Sequence, residues 1–430
     1  MGISSALYSG VSGLNTNGQA MSVIGNNLAN TNTIGFKGSR TVFADLLSGN
    51  INGSGGISQV GRGVGMSTVD NIFSQGTFET TESNLDVAIE GDGFFMLKEE
   101  GDLTTFYSRA GAFRFNDDGY LVNPEGYRVQ GKGFDVNGTL KAGDAGDIQV
   151  LNEGLIEGNP TSTLSLNTNL DSSEPALSTA ATVAADFDYT DPNTFNYSSS
   201  TQVFDSLGNP HLLTTYFIKT DDNEWHWAWS AEQEDGTPLP IGGAVPNVTP
   251  LEFTENGILD AAAGDPPLPT TADITGIDWA NGTELTNIEL TFDTTQFNSE
   301  SVVISHTQNG YGAGDLTGIE IDPDGIVIAS YSNGQQTKIS QLVLGKFVNP
   351  NGLQLAGSNL YIETSTSGSP RTGLPGPELG KVFTNSLEQS NVDMGAEFVK
   401  MITIQRGFQA NSKIITTVDE LLGELINLKR

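Results

Sequence analysis

IGNNLANTNTIGFKGSR, residues 24–40, marks the end of the first helix-like segment, because the apolar spacing of that segment stops there in a run of polar residues. Asn occurs at 26, 27, 30 and 32, shortly before Gly35. Asn amides compete with the backbone for hydrogen bonds, and Asn tolerates left-handed backbone conformations. The pattern therefore predicts a joint where the chain leaves a helix and turns into irregular structure, and it does not predict a ligand-binding loop.

Both ends of the sequence carry the heptad spacing of helices that bury a narrow stripe. An ordinary amphipathic helix lying on a globular core is the more common cause of such spacing. Gly18 and Gly25 interrupt the first stripe, and each lowers the stability of the helix by about 1 kcal/mol relative to Ala. Such glycines are tolerable where another backbone approaches the helix closely. We therefore expect the two helices to pair with each other and with neighbouring copies. The expected contact residues are Leu7, Val11, Leu14, Gly18, Met21 and Leu28, and Met401, Ile404, Phe408, Asn411, Ile415, Val418, Leu422 and Leu425.

The same residues predict that the terminal helices are largely disordered before assembly. Gly and Asn penalise an isolated helix, and an uncovered stripe has nothing to pack against. Asn411 lies within the second stripe, where a polar residue would set the register at some cost in stability.

Composition excludes several classes of protein. The net charge of −33 opposes binding to nucleic acid and to an anionic membrane surface. Cys is absent and the three His are scattered, so disulfides and thiolate metal sites are excluded. No run of 18 apolar residues occurs, and the first basic residue is Lys37, so we expect neither membrane insertion nor a cleaved signal with a basic start.

Charge divides the chain into parts. Residues 146–300 contain one Lys and 25 Asp or Glu, whereas the two ends are nearly neutral. We interpret this block as an acidic outer β domain inserted into a framework made by the ends. The flanks have strand patterns with turn signals at Asp118-Gly119 and Asp324-Gly325. The expected division is a terminal helical domain (1–30 and 386–430), an irregular connector (31–75 and 376–385), a middle β domain (76–145 and 301–375) and the insertion.

No catalytic, cofactor-binding or metal-binding residue is predicted. GRGVG at 61–65 lacks the strand and helix of a phosphate loop, and the Asp-Gly turns lack a full set of calcium ligands. Paired carboxylates remain open, because the acidic block offers many equivalent pairs. Trp225, Trp227 and Trp229 share one face of a strand, which favours a core stripe over a platform for a glycan.

NNLANTNTIGFK, residues 26–37, resembles a signature of the flagellar rod and hook proteins. The resemblance continues through LDVAIEGDGFFML (85–97), residues 107–131 and the closing segment 385–428. Residues 195–227 and 329–361, together with the large insertion, resemble the hook branch of the family. The motif residues carried over are Asn27, Asn30, Asn32, Gly35, Phe36 and Lys37.

The resemblance implies a mainly β, multidomain protein with paired, coiled-coil helical termini that polymerises with itself into a curved, flexible tube. It also implies contacts with a distal rod protein, a hook cap, a hook-filament junction protein and the type III export apparatus, and an extracellular place in the flagellum without signal cleavage. VFADLL (42–47) resembles the segment read by that apparatus. A distal rod protein, an exported adhesin or carbohydrate-binding protein and, third, a glycosidase remain the alternatives.

Overall fold

The protein is described by a computed structural model that covers residues 2–47, 49–53, 56–135, 138–150, 155–232, 250–260 and 270–428. The expected fold class is confirmed: the chain is mainly β, and two long terminal helices pack on each other. It forms two compact units. The first contains residues 1–153, 318–329 and 337–430, and the second contains residues 154–317 and 330–336.

The elements of the first part of the chain are α1 Gly2–Ala29, β1 Ser39–Asp45, β2 Gly49–Gly53, β3 Gly56–Val60, β4 Val64–Asn71, β5 Phe78–Thr80, β6 Val87–Glu90, β7 Phe94–Lys98, β8 Thr105–Ser108, β9 Arg114–Phe115, β10 Leu121–Val122, β11 Arg128–Gly133 and β12 Gly146–Asp147. The central part contains β13 Leu155–Ile156, β14 Thr163–Asp171, α2 Val183–Asp186, β15 Tyr197–Phe204, β16 Pro210–Asp221, β17 Glu224–Ala231, β18 Leu251–Glu252, β19 Thr271–Ile277, β20 Thr286–Phe297 and β21 Val302–Gln308. The last part contains β22 Gly314–Ile321, β23 Ile326–Tyr331, β24 Gln336–Leu342, β25 Leu344–Lys346, a 3-10 helix Pro350–Gly352, β26 Gln354–Gly357, β27 Leu360–Ile362, β28 Arg371–Gly373, β29 Lys381–Thr384, β30 Ser386–Glu388 and α3 Met394–Leu428.

The first unit has a β core made from both flanks of the sequence. Neighbouring strands run in the order β24, β11, β7, β8, β27, β26, and β25 also pairs with β7. Strand β6 pairs with β29, and β5 pairs with β30, so each pair joins residues from near the two ends. Phe95, Leu97 and Leu344 are fully buried between these strands. Burial of such side chains stabilises the unit by roughly 2 kcal/mol each.

A two-stranded ribbon, made of β1 and β4, follows the first helix. Strands β1 and β4 pair antiparallel with a bulge between Val42 and Phe43. The ribbon lies against α1 at Gly63, whose Cα hydrogens face the Ser12 hydroxyl. Gly63 has a φ of +112°, which a residue with a side chain would rarely adopt.

The second unit contains two four-stranded sheets. One has the order β19, β20, β14, β21, and the other has the order β15, β16, β17, β18. Trp225 and Trp227 are buried in the hydrophobic core of this unit, and Trp229 packs against it. The interpretation of these three Trp as a core stripe is therefore confirmed.

The compact units divide the chain at 153/154 and 317/318, whereas the expected boundaries of the insertion were 146 and 300. The difference at the C-terminal boundary has a clear cause. Strand β21 pairs along its length with β14, so residues 302–308 belong to a sheet of the second unit. Charge alone could not place this boundary, because the exposed strand β21 carries no Asp or Glu. The four-part division into layers stays a prediction.

Candidate functional site

The two terminal helices pack through their smallest residues. A Cβ built on Gly10 would lie 3.1 Å from Ile415 Cγ1, and one on Gly13 would lie 2.5 Å from Asn411 Nδ2. Further along, Gly407 of α3 faces the Asn17 side chain. Residue numbers rise along one helix as they fall along the other, so α1 and α3 are antiparallel. Glycine allows this close approach because it has no side chain to separate the helices.

The face of α1 that is buried in the chain differs from the expected stripe by one position. Five of the six buried residues directly precede a stripe position, and Thr16 lies two residues from the nearest one, so the helix is rotated by about 100° from the expected orientation. Gly18 and Gly25 have no atom of another element within 4 Å of a built Cβ, so no other backbone of the described residues approaches them closely. The expected stripe is left uncovered, with Leu7 36% and Val11 50% exposed and Leu14, Met21 and Leu28 half-buried. The buried residues are Gly10, Gly13, Thr16, Ala20, Ile24 and Asn27.

The stripe of α3 lies closer to its expected position. Val418 is buried, and Phe408 and Leu422 are exposed. The side chain of Leu425 lies outside the described residues. The half-buried members are Met401, Ile404, Asn411 and Ile415.

Stripe residues from both helices meet at one place on the surface of the pair. Gly18 and Met21 of α1 and Ile404 and Phe408 of α3 line an open groove of about 350 Å³. At this groove the two expected stripes therefore lie on one surface, whereas Asn411 and Ile415 of α3 face Gly13 and Gly10 of α1.

Asn27 begins the joint that the sequence predicted. Its Nδ2 donates to the Ser39 carbonyl at 2.7 Å and to Glu397 Oε2 of α3 at 3.2 Å, and its Oδ1 accepts from the Ser39 N–H at 2.9 Å. One buried amide thus holds the end of α1, the start of β1 and the start of α3 together. This use of Asn is what the joint interpretation requires.

The other motif residues have more local contacts. Asn30 Nδ2 donates to the Asn26 carbonyl at 2.9 Å, which ends the helix, and Asn32 is exposed. Gly35 has a φ of +68° and lies against the backbone of Ala110, so only glycine fits there. Phe36 is half-buried, and its carbonyl accepts from the Asn391 N–H at 3.4 Å.

Lys37 lies at the centre of a buried ion cluster. Its Nζ donates to Glu388 Oε1 at 2.6 Å and to the Ser74 carbonyl at 2.8 Å. Arg109 approaches the other oxygen of Glu388 at 3.5 Å and donates to the Gly91 carbonyl at 2.6 Å. Burial lowers the pKa of Lys37, and the carboxylate of Glu388 partly opposes this by favouring the charged amine. Burial likewise lowers the pKa of Arg109.

Sequence reasoning found Lys37 but missed its partner Glu388, and it also missed Arg109, which approaches Glu388, and Asn391, which bonds to the backbone nearby. Asn391 accepts from the Gly38 N–H at 2.8 Å and donates to the Ile72 carbonyl at 2.7 Å. A single sequence shows no sign that a given Glu or Arg is buried. The one available signal was that Glu388 and Asn391 lie in the C-terminal segment that resembles the same family as the Lys37 motif.

The described residues offer a packing site at the helix pair. Among them, no three His, Asp or Glu side chains come together in a group that could hold a metal ion. None of the helices in the described part of the chain is long and apolar enough to cross a membrane.

Four family models match the chain. They are the flagella basal body rod protein at residues 7–37, the flagellar hook protein FlgE/F/G D1 domain at 88–158, the flagellar basal body protein FlaE D2 domain at 169–311 and the flagellar basal body rod FlgEFG protein C-terminal at 384–428. The first and last matched ranges contain the residues of the joint and of the helix pair.

Relatives match over the full length. The flagellar hook protein FlgE of Borreliella burgdorferi is 36% identical, with 99% of each chain covered. Those of Salmonella typhimurium and Escherichia coli K12 are each 35% identical, covering 97% and 99% of this chain and 98% and 100% of theirs. The crystal structure of Helicobacter pylori flagellar hook protein FlgE2 matches with a TM-score of 0.53 at 15% identity, over 72% of this chain and all of that one, which supports the fold. The chain therefore belongs to the flagellar hook protein family, whose members are structural proteins of the flagellum and not enzymes.

Proposed function

We propose that this chain polymerises with itself through its terminal helices into the curved, flexible tube of the flagellar hook, which links the rod to the filament and transmits torque. The observation that carries this proposal is the uncovered stripe. The helices pack on each other through glycines, and their larger apolar side chains stay partly exposed. Helix α1 contains no Asp, Glu, Lys or Arg, so a neighbouring copy can bury it without removing a charge from water.

The distribution of charge supports an arrangement in layers. In this proposal the terminal helical domain (1–30 and 386–430) forms the inner tube, followed by the connector and the middle β domain. The acidic block, 146–300, faces outward, where water and ions screen its charge of −24. Crowding the same charge inside a tube would be costly through self-repulsion. Contacts between neighbouring outer parts would then be small and polar, so that they can slide as the tube bends.

Assembly would also order the helices. An isolated uncharged helix with several Gly is poor in water, and packing against neighbours supplies the missing burial. Circular dichroism on monomer and polymer measures this change. We expect greater helicity per chain in the polymer, and equal helicity in both states would contradict the ordering step.

Electron microscopy after salting out tests the assembly itself. We expect curved tubes from the purified chain. Straight tubes would favour a distal rod protein, and the absence of any polymer would favour a binding protein such as an adhesin. Deletion of residues 150–300 should leave tubes with altered mechanics, because the proposal assigns assembly to the ends.

The proposed partners beyond a second copy are a distal rod protein, a hook cap, a hook-filament junction protein and the type III export apparatus. Their support is the resemblance of the whole chain to hook proteins. Secretion of the chain by flagellated cells, followed by sequencing of the N-terminus of the exported protein, tests export without cleavage. Recovery of a shortened N-terminus would contradict it.

A further inference from the structure

Gly18 lines an open groove between the terminal helices. A Cβ built on Gly18 has no atom within 4 Å, although Gly10 and Gly13 on the same helix are in tight contact with α3. Glycine inside a helix costs about 1 kcal/mol relative to Ala. Contacts among the described residues of a single chain give no reason for this cost at position 18.

The groove is lined mainly by apolar surface, and none of the described residues that line it is charged. Met21, Ile404 and Phe408 supply the apolar surface, and Phe408 is 45% exposed. The other side chains that line the groove are the amides of Asn17, Gln405 and Gln409. A site of this kind suits an apolar side chain that enters between two helices, as a knob enters the hole of a coiled coil.

A matching apolar surface is exposed at the other end of α1. Leu7, Tyr8 and Val11 are 36%, 71% and 50% exposed. They precede Gly18 and Met21 on one continuous helix by about 10–21 Å, at about 1.5 Å per residue. They therefore cannot reach the groove of their own chain, whereas those of a second copy can.

We propose that the Gly18 groove of one copy receives Leu7, Tyr8 and Val11 of a second copy. This inference rests on the proposed assembly into a tube and identifies one of its contacts. Leu7, Tyr8 and Val11 and the groove are different surfaces, so the contact is heterologous. Each copy at the end of a chain of contacts keeps one of these two surfaces free for the next copy. Such a contact can extend into an open helical polymer without closing into a pair.

Gly18→Leu tests the groove, and Gly423→Leu is its control. Gly423 lies on α3, also has no atom near a built Cβ, does not line the groove and belongs to neither stripe. The measurements are the critical concentration for assembly, by sedimentation, and monomer helicity, by circular dichroism. We expect Gly18→Leu to raise the critical concentration about tenfold or more, as loss of a central contact does, and Gly423→Leu to change it little. Leu favours helix over Gly, so lower monomer helicity is not expected to accompany this loss.

Two results would overturn the groove. Either Gly18→Leu assembles like the unaltered chain, or Gly423→Leu is impaired to the same degree. Failure of the unaltered chain to form tubes would contradict the proposed function instead, so the two failures are distinguishable.

Photo-crosslinking identifies the occupant. A benzophenone amino acid replaces Phe408 in isotopically light chains, which then assemble with heavy chains that lack the probe. We expect light–heavy crosslinked peptides that contain residues 7–11 of the heavy chain. Crosslinks to another segment, or within one chain only, would refute this occupant.

Discussion

Lys37 Nζ and Glu388 Oε1 lie 2.6 Å apart in a pair whose side chains have no solvent exposure, although 351 residues separate them in the chain. Lys37 follows the first helix, and Glu388 ends the last strand before α3. The pair therefore joins the chain where it enters and leaves the β core. Arg109 provides a second positive charge against the same carboxylate. Glu388 also accepts the Gly76 N–H, and its carbonyl accepts the Gly35 N–H, so this one residue ties both flanks together.

Lys37→Met should destabilise the first unit by about 3–5 kcal/mol, because removal of one partner leaves buried charge on Glu388 less compensated. Urea unfolding measures the free energy. Lys346→Met is the control, because Lys346 forms an exposed pair with Asp92 at 2.9 Å. Its free energy of unfolding should fall by at most about 1 kcal/mol. Equal losses in the two variants would mean that burial of the Lys37 pair contributes nothing.

Gly35→Ala should prevent the joint from forming in its native geometry. The residue has a φ of +68°, and a Cβ would lie 2.5 Å from the Ala110 nitrogen, which belongs to the backbone and cannot move aside cheaply. Gly126→Ala is the control: its φ is +93°, but open space surrounds a built Cβ. Backbone strain costs about 1–3 kcal/mol at either position, and only position 35 adds the clash with Ala110. Thermal unfolding should therefore show a larger loss of stability for Gly35→Ala than for Gly126→Ala. A smaller or equal loss at position 35 would show that the contact with Ala110 relaxes.

Acid should weaken the second unit through Asp205. Burial would raise the pKa of this carboxyl, but hydrogen bonds from His211, Asn281 and Asn209 outweigh burial and lower the pKa to about 2. Because the folded-state pKa is lower than the ordinary value of 3.8, the unfolded state binds the proton first as pH falls. The stabilisation, roughly 2 kcal/mol, is complete above about pH 4 and is lost as pH falls toward 2.

Asp205→Asn tests this assignment. The variant should be less stable than the unaltered chain at neutral pH and should lose part of the dependence on pH between 4 and 2. Thermal unfolding at several pH values, followed by Trp fluorescence, reports on the second unit because Trp225, Trp227 and Trp279 are buried there. An unchanged pH profile would assign the acid sensitivity to other carboxyls.

The sequence allowed a correct prediction of the elements that have strong local patterns. Heptad spacing predicted both terminal helices and their pairing, and Asp118-Gly119 predicted the turn between β9 and β10, which pair antiparallel. The Trp stripe was assigned correctly from its period of two. These features depend on residues that are close in the chain, so a single sequence contains the information.

The face of α1 and the partners of Lys37 could not be predicted in the same way. The stripe rule ranks Leu and Val above Gly as contact residues, yet α1 meets α3 through Gly10 and Gly13 because closer backbones gain more packing. The apolar residues that the stripe rule identified stay partly exposed in the chain, and their contacts with a second copy stay a prediction. Glu388 and Arg109 were missed because charged residues are normally exposed, and only the fold shows that these two are buried together.

Asn27→Ala should disturb the exit of the first helix more than Asn32→Ala, although both residues belong to the same motif. The buried side chain of Asn27 bonds to both the N–H and the carbonyl of Ser39. Removal of this side chain leaves those backbone groups without partners, which costs about 1–3 kcal/mol. Asn32 is exposed, and substitutions at such positions usually change stability by less than about 0.5 kcal/mol.

Urea unfolding and hydrogen exchange of the Ser39 amide measure the two effects. We expect faster exchange at Ser39 in Asn27→Ala only, because that N–H donates to the Asn27 side chain at 2.9 Å. If Asn32→Ala were equally destabilising, Asn32 would have a role that its exposed position does not explain, such as a contact with a second copy. If neither variant changed exchange at Ser39, the joint would be held by its other bonds, such as those of Lys37 with Glu388 and of Asn391 with Gly38, and the run of Asn would act only to end the helix.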